Sequence, residues 1–485
     1  MEKNKALLIN SCQICGSDRI HYRFISNGHP VCQCADCDLM FINPQPSEEA
    51  LAGIHRAEGL SGGAPVQGTG AAAETLLQRA LDYSGAARGK MLLAGRDRDA
   101  FAALARQKGF ETAVLELPLK EEAPAGDFDL CVLLDAVGKV RNPVSLFSGV
   151  RSLLKPGGAL LIASPSLDIW PARPVSGGWA GFQAGHLHYF NAQTIQNLLA
   201  KTGFGEVVVF RGNGASGRSG DGMTVLARSR PPAGDRTVSI VLPVYNEKAT
   251  FGQLIGALAA KELRGLRKEI IIVESNSTDG TREDVLKYKD APGFKVILED
   301  RPRGKGHAVR AGLKAATGEF VLIQDGDLEY DLNDYDELLE PLLKYQKAFV
   351  LGARHLKGWK MRHFNDQPLV SLILNFGQIF FVTLVNVFCG QNLIDPFTMY
   401  KVFRKDCVYG LVFKANRFDF DFELVIKLLR KGYIPLEIPV NYNSRSFKEG
   451  KKVSFFYDPL LWLVALVRFR FGPLYEKNRA GAPRP

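Results

Sequence analysis

The sequence predicts an α/β protein in which two alternating strand–helix domains follow a small cysteine-rich module. Three observations carry that prediction. Two C-x-x-C pairs stand near the N-terminus. Short apolar runs then alternate with helical patterns, first from Lys90 to Ser164 and again from Thr237. A stretch rich in proline, glycine and charge, residues 230–236, separates the two blocks. The expected divisions are therefore 1–46, 47–229, a linker at 230–236, and 237–485. A chain of 485 residues has material for more than one core.

The formal charge of +10 suits anionic partners, whether nucleic acid, phosphorylated ligands or acidic lipid. A nucleic-acid scaffold falls behind the others because basic and aromatic residues are not interleaved. The opening MEKNKALLINSC has too short an apolar run for a signal peptide. The expectation is a cytoplasmic chain with reduced thiols, five of its eight cysteines lying before residue 40.

In chain order, Cys12, Cys15, Cys34 and Cys37 have the spacing of a zinc ribbon. Four thiolates make a closed tetrahedral Zn²⁺ site, which is structural. A redox pair is the competing reading, and two pairs in tandem weigh against it. Cys32 is one cysteine too many and stands as an alternative ligand, while Pro44 and Pro46 are expected to end the module. Gly59 to Gly70 and Arg211 to Gly222 read as a mobile loop and a hairpin tip. Between them the alternation predicts a doubly wound sheet.

The second block opens with a buried strand running into a turn, Val238 to Glu247, and a second strand with a polar carboxyl end, Glu269 to Thr281. Lys295 to Glu299 predicts a third strand. Arg303-Gly304-Lys305-Gly306 then opens a helix carrying Ala308, Val309, Leu313 and Ala316, with Gly318 expected to stop it. Phe320 to Gln324 is an apolar strand that delivers Asp325, Asp327 and Glu329. Acids at this spacing repel unless a cation lies between them, and oxygen ligands suit Mg²⁺ or Mn²⁺. Arg303, Lys305 and the helix N-terminus would add positive charge for a diphosphate. Ligands of such sheets bind off the carboxyl ends of the strands, where all these clusters fall.

The segments LPVYNE, VESNSTDGT, RGKGHAVRAG and QDGDLEY, followed by GARH, DPFTMYKVFR, FDFDFELVIKLLRKGY and YNSRSFKEGKK, resemble the family 2 glycosyltransferases of the GT-A fold. The series is similar to their polyprenyl-phosphate sugar transferases over about residues 237–470. The resemblance implies that Pro243, Tyr245, Glu247, Glu274 and Asp279 frame a nucleotide sugar, and that Asp325, Asp327 and Glu329 bind metal. It also implies that Arg354 lies near the sugar and acceptor phosphate, and that Arg445, Lys451 and Lys452 close over the diphosphate. Asp395, Thr398 and Lys401 match a further motif, for which a structural turn is an equal reading.

Residues 12–229 are similar to class I S-adenosylmethionine-dependent methyltransferases, with a zinc ribbon found in one subgroup. Glu116 matches the ribose-binding acid. The glycine-rich cofactor loop is degenerate, however: Gly95 is followed by Arg96-Asp97-Arg98-Asp99, which weighs against S-adenosylmethionine and towards a structural domain. His186 and His188 match a motif without being expected to act in catalysis.

The expected reaction is an inverting, metal-assisted transfer from a nucleotide-diphosphate sugar to a polyprenyl phosphate. Alternatives are a sugar-hydroxyl acceptor in surface-polysaccharide assembly, with Asp421 or Glu423 as base, and a bifunctional transferase and methyltransferase. Leu369 to Cys389 is uncharged and borderline in length for spanning, with Asn375, Gln378 and Asn386 on one face and Gly377 expected to break it. Together with Pro459 to Phe471, which carries Arg468 and Arg470, it predicts amphipathic helices on the inner surface of the cell membrane.

Overall fold

The computed structural model describes residues 5–57, 69–117, 126–168, 182–183, 185–211, 222–230, 236–355, 368–443 and 457–475. Two compact units divide the chain between Ala233 and Gly234, inside the expected linker, and Lys344–Lys347 and Tyr475–Pro485 group with the first.

In the first unit, strands β1 (Ile20–Ser26), β2 (His29–Cys34) and β3 (Met40–Ile42) form an antiparallel ribbon beneath the paired cysteines. Helices α1 (Glu48–Ala57) and α2 (Thr69–Ser84) lead to β4 (Gly89–Gly95), α3 (Arg98–Gln107), β5 (Phe110–Val114), β6 (Phe128–Leu134), α4 (Pro143–Leu153) and β7 (Leu154–Pro165). Strand β8 (His188–Tyr189), helix α5 (Ala192–Lys201) and strands β9 (Phe204–Arg211) and β10 (Gly222–Ser229) complete the unit. The large sheet runs β5-β4-β6-β7-β10-β9, parallel from β5 to β7 and antiparallel beyond. The inner parallel strands β6 and β7 are almost wholly buried, whereas the edge strand β5 exposes Glu111 and Val114.

The cysteine module does not end at Pro44 and Pro46 as expected. Strand β3 pairs with β8, and Cys12, Ile14, Cys34 and Leu39 are buried in the same core as Leu133, Ile162 and Phe190. A ribbon this small gains most of its burial by sharing that core.

The second unit contains β11 (Thr237–Val244), α6 (Lys248–Ala260), β12 (Arg267–Glu274), α7 (Thr281–Leu286), β13 (Phe294–Leu298), α8 (Lys305–Ala315), β14 (Phe320–Ile323), α9 (Tyr335–Leu343) and β15 (Phe349–Ala353). It continues with α10 (Pro368–Cys389), β16 (Lys401–Arg404), α11 (Phe420–Lys431), β17 (Leu436–Pro439) and α12 (Tyr457–Phe471). Sheet order is β13-β12-β11-β14-β16-β15-β17. The first four strands are parallel, and β16 runs against both neighbours.

Two expectations about glycines fail. Helix α8 ends at Ala315, and Gly318 serves a different purpose: a Cβ there would stand 2.6 Å from the Thr237 carbonyl oxygen, so the residue permits close backbone packing. Helix α10 is continuous through Gly377, beside which an added Cβ would meet nothing within 4 Å. Among the described residues, no helix is long and apolar enough to cross a membrane.

At the amino ends of the parallel strands lies a buried network on Glu269 of β12. Its carboxylate accepts from Ser239 Oγ at 2.5 Å, Thr317 N at 2.6 Å and Gly318 N at 3.1 Å, and pairs with Lys295 at 2.6 Å. Burial raises its pKa, but Lys295 and these donors outweigh that and bring it down to about 2. A carboxylate with a depressed folded pKa stabilises above its unfolded value and loses that contribution as pH falls through the folded one. Stability is therefore expected to drop between pH 4.5 and 2, by roughly 3 kcal/mol from this group. Glu269→Gln should lower stability at pH 7 and flatten that acid limb in denaturant unfolding.

Candidate active site

Three turns at the carboxyl ends of β11, β12 and β14 are bonded to one another. Asn246, in the left-handed region at φ 52°, donates its N–H to Ser277 Oγ at 2.9 Å and accepts from Thr278 N at 2.9 Å. Glu247 N donates to Thr281 Oγ1 at 3.0 Å, and Thr250 Oγ1 donates to the Gly326 carbonyl at 3.1 Å. A Cβ on Gly326 would lie 3.3 Å from Pro243 O and 3.4 Å from Glu247 Cγ, so the Asp325–Asp327 loop reaches back to the first turn.

Asp279 accepts from Lys248 N and Thr281 N, each at 3.0 Å, and holds the turns together. Glu274 is fully buried; it pairs with Arg282 at 3.0 Å and accepts from Ser277 N at 2.6 Å. Its Oε1 is thus held by the turn, while Oε2 has the Arg282 ion pair but no hydrogen bond.

The acidic loop is more selective than its spacing implied. Lys305 bonds directly to Asp325. Burial opposes the charge on Lys305, yet Asp325, Asp421 and Asp327 together raise its pKa. Glu329 turns away: its Oε2 accepts from Tyr442 Oη at 2.9 Å, and it lines a groove of about 850 Å³ with Lys261, Asn333 and Asn441. Among the described residues, only the four cysteines bring three or more ligating side chains within 4.8 Å. Asp325, Asp327 and Glu329 therefore do not form a three-carboxylate cage. Two carboxylates with water and diphosphate oxygens remain a donor set that suits Mg²⁺ or Mn²⁺.

The basic glycine segment is also corrected. Arg303 pairs with Asp300 at 2.7 Å. A Cβ on Gly304 (φ 99°) would meet the Asn416 carbonyl at 2.4 Å, and that oxygen also accepts from His307 N at 3.1 Å. The start of α8 is thus packed and partly capped by residues 415–420, and Lys305 alone extends to the acids.

Beside this cluster, Asp421 pairs with buried Lys401 at 2.8 Å. Burial lowers the pKa of Lys401 against the opposing pull of Asp421. Glu423 is fully buried, accepting from Lys414 N and Ala415 N and pairing with Lys427 at 2.6 Å; it is a structural anchor, and the expectation of a base fails there. Arg354 forms a two-pronged pair with fully buried Asp395, Nη2 to Oδ1 at 2.7 Å and Nε to Oδ2 at 2.8 Å. Burial opposes both charges, but each holds the other ionised. The guanidinium lies 5.5 Å from the Tyr442 ring centre.

Residues 239–411 match the family model described as glycosyl transferase family 2, and residues 68–208 match that of a methyltransferase domain. The second unit is a family 2 glycosyltransferase domain. Dolichol-phosphate mannosyltransferase from Pyrococcus furiosus is 26% identical over 218 residues, 44% of this chain, which spans 58% of that relative's length. Dolichyl-phosphate beta-glucosyltransferase from Saccharomyces cerevisiae is 27% identical over 268 residues, 50% of this chain and 77% of the relative. Glucosyl-3-phosphoglycerate synthase from Mycobacterium tuberculosis aligns at 18% identity with a TM-score of 0.37, over 49% of this chain and 80% of that one.

In the glycosyltransferase domain, Arg445, Lys451 and Lys452 lie outside the described residues. Pro243 and Tyr245 stand on the β11 turn, half-buried. Sequence reasoning missed Tyr330, Tyr442 and Glu437 as site partners. Tyr330 and Tyr442 sit within quoted motifs, whereas Glu437, which accepts from Asp395 N at 2.6 Å, carries no local signal.

The methyltransferase domain shows a different pattern at its strand ends. Arg98 stands 3.4 Å from Glu116, the candidate ribose acid, and Asp97 takes the N-cap position of α3. Asp135 is buried among Lys139 at 2.7 Å, His186 at 2.9 Å and Arg96 at 3.8 Å. Burial pushes the pKa of His188 down to about 4, as for a packed neutral imidazole. The close-approach glycines expected for S-adenosylmethionine are replaced by Arg96, Asp97, Arg98 and Asp99, while Glu116 stays exposed and only loosely paired.

The four ribbon thiols do fit a metal. Cys12 and Cys37 Sγ are 3.4 Å apart, and Cys15 and Cys34 Sγ 3.5 Å, near the ~3.8 Å edge implied by tetrahedral Zn–S bonds of about 2.3 Å. Cys32 stands apart, its Sγ 4.0 Å from the Asn43 carbonyl oxygen.

Breaking the Arg354–Asp395 pair should strand a buried cation. Asp395→Asn is expected to cost about 3–5 kcal/mol in denaturant unfolding, well beyond an exposed pair.

Proposed function

We propose that the protein transfers a sugar, with inversion, from a nucleotide-diphosphate sugar to a polyprenyl phosphate at a membrane surface. The observation that carries this reading is the commitment of both candidate bases: Asp421 is paired with Lys401, and Glu423 with Lys427 and two amides. A hydroxyl acceptor needs a carboxylate to take its proton, whereas a phosphate acceptor arrives ionised. The names of the dolichyl-phosphate relatives agree with this choice.

In this reading Asp325 and Asp327 hold Mg²⁺ or Mn²⁺, which when bound neutralises charge on the departing nucleotide diphosphate. Lys305 moves from Asp325 towards the diphosphate, and Arg354 faces the acceptor phosphate. Pro243, Tyr245 and Glu247 border the nucleotide, and Arg445 and Lys451 add cations to the diphosphate. Cys12, Cys15, Cys34 and Cys37 hold a structural zinc ion, and the methyltransferase domain is structural.

Incubation with Mn²⁺, polyprenyl phosphate and a panel of labelled nucleotide sugars should move label into the organic extract. Asp327→Asn is expected to lower that rate about 10²-fold or more. Label appearing only on soluble glycans would reject the lipid acceptor. Elemental analysis should find one zinc per chain, lost in Cys37→Ser together with stability of the first unit; full stability without zinc would reject the metal.

A further inference from the structure

Helix α10 divides its surface sharply. Asn375, Phe381 and Val385 are buried inward, and Asn386 is bonded to Leu393 through both its amide groups at 2.8 Å. Outward, Phe376 and Val387 are 70% and 73% exposed. Helix α12 continues the patch with Val464 at 65% and Phe471 at 70%, and Trp462 packs on Phe381 with ring centres 5.3 Å apart. Large apolar side chains exposed side by side call for a cover. Charge selects the cover: α10 carries no charged residue, Arg468 is exposed on α12 beside the patch, and the chain is +10. An anionic bilayer matches an apolar face rimmed by arginine better than a second, equally basic copy does.

The same helix reaches the site. Gln378 Nε2 donates at 3.1 Å to Asp395 Oδ1, the oxygen that also receives Arg354 Nη2. The backbone on the other side is fixed, since Ile394 N and Asp395 N both donate to Glu437. The Asp395 carboxylate is therefore held by Arg354, through its N–H and guanidinium, with His355 Nδ1 4.0 Å away, and Gln378 is its contact from the exposed helix. Small shifts of a packed helix are passed on by such contacts because the interior does not deform smoothly.

We propose that Gln378 is a positioning residue linking the bilayer-facing helix to Arg354, so that seating α10 on anionic lipid sets the guanidinium that meets the acceptor phosphate. The second half of this proposal rests on the function proposed above; the link between helix and pair does not.

The test uses the full chain, a water-soluble short-chain polyprenyl phosphate, and phosphatidylglycerol–phosphatidylcholine vesicles. Vesicles should raise kcat/KM for the acceptor about 10-fold in the wild type and less than twofold in Gln378→Leu, which should still float with vesicles. Hydrogen exchange supplies a readout independent of turnover. Vesicles should slow exchange in peptides covering 350–355 and 394–400 of the wild type and not of Gln378→Leu. Unchanged exchange in the wild type, or full protection in Gln378→Leu, overturns the link. Transfer to no lipid phosphate, with protection intact, rejects the acceptor and leaves the link standing. Should Gln378→Leu fail to fold, the exposed pair Phe376→Ser and Val387→Ser decides: loss of flotation must abolish the protection, and protection without flotation overturns the proposal.

Discussion

The glycosyltransferase site depends on the alternation of buried cations with carboxylates. Lys305 lies with Asp325, Lys401 with Asp421, and Arg354 with Asp395. Each pair loses hydration that its own attraction only roughly repays, so the pairs add little to net stability. What they provide is placement. A fork of two hydrogen bonds fixes the plane of Arg354, and the Lys305 ammonium on Asp325 offsets the repulsion between two neighbouring acids.

That arrangement also limits the chemistry. A carboxylate tied to an ammonium is a poor proton acceptor, because protonating it would leave the buried lysine uncompensated. Asp421 and Glu423 are both paired with lysines, and Glu423 with two amides as well, so both are already committed within the fold. An acceptor that brings its own negative charge asks for no more than this.

Much of the fold was legible because it rests on short-range patterns. Strands β11 to β14 announced themselves as apolar runs, and the two C-x-x-C pairs do converge. The site was legible as a set of positions and less so as directions. Glu329 follows Asp327 at the same spacing as Asp327 follows Asp325, yet it bonds Tyr442: the strand ends at Ile323, before all three acids, so strand alternation governs none of them. Gly304 and Gly306 look like a phosphate cradle and are spaces for Asn416 and Phe420, more than a hundred residues away. Nothing local to Glu437 or Gln378 shows that both meet the segment around Asp395. Long-range partners of this kind are fixed by topology, which spacing along the chain does not record.

The two domains put one architecture to contrasting uses. Both carry acids in the loops around their sheets, and in both those acids are met by basic side chains of the same domain. In the glycosyltransferase domain the partners of Asp325 and Asp395 are a lysine and an arginine of kinds that a diphosphate or phosphate can recruit, and Gly326 keeps the loop thin against Pro243. In the methyltransferase domain Asp135 is enclosed by three basic groups, and Arg98 crosses to the one acid that a ribose would need. The same local motif, an acid answered by a base, is buried around Asp395 in one domain and exposed at Glu116 in the other.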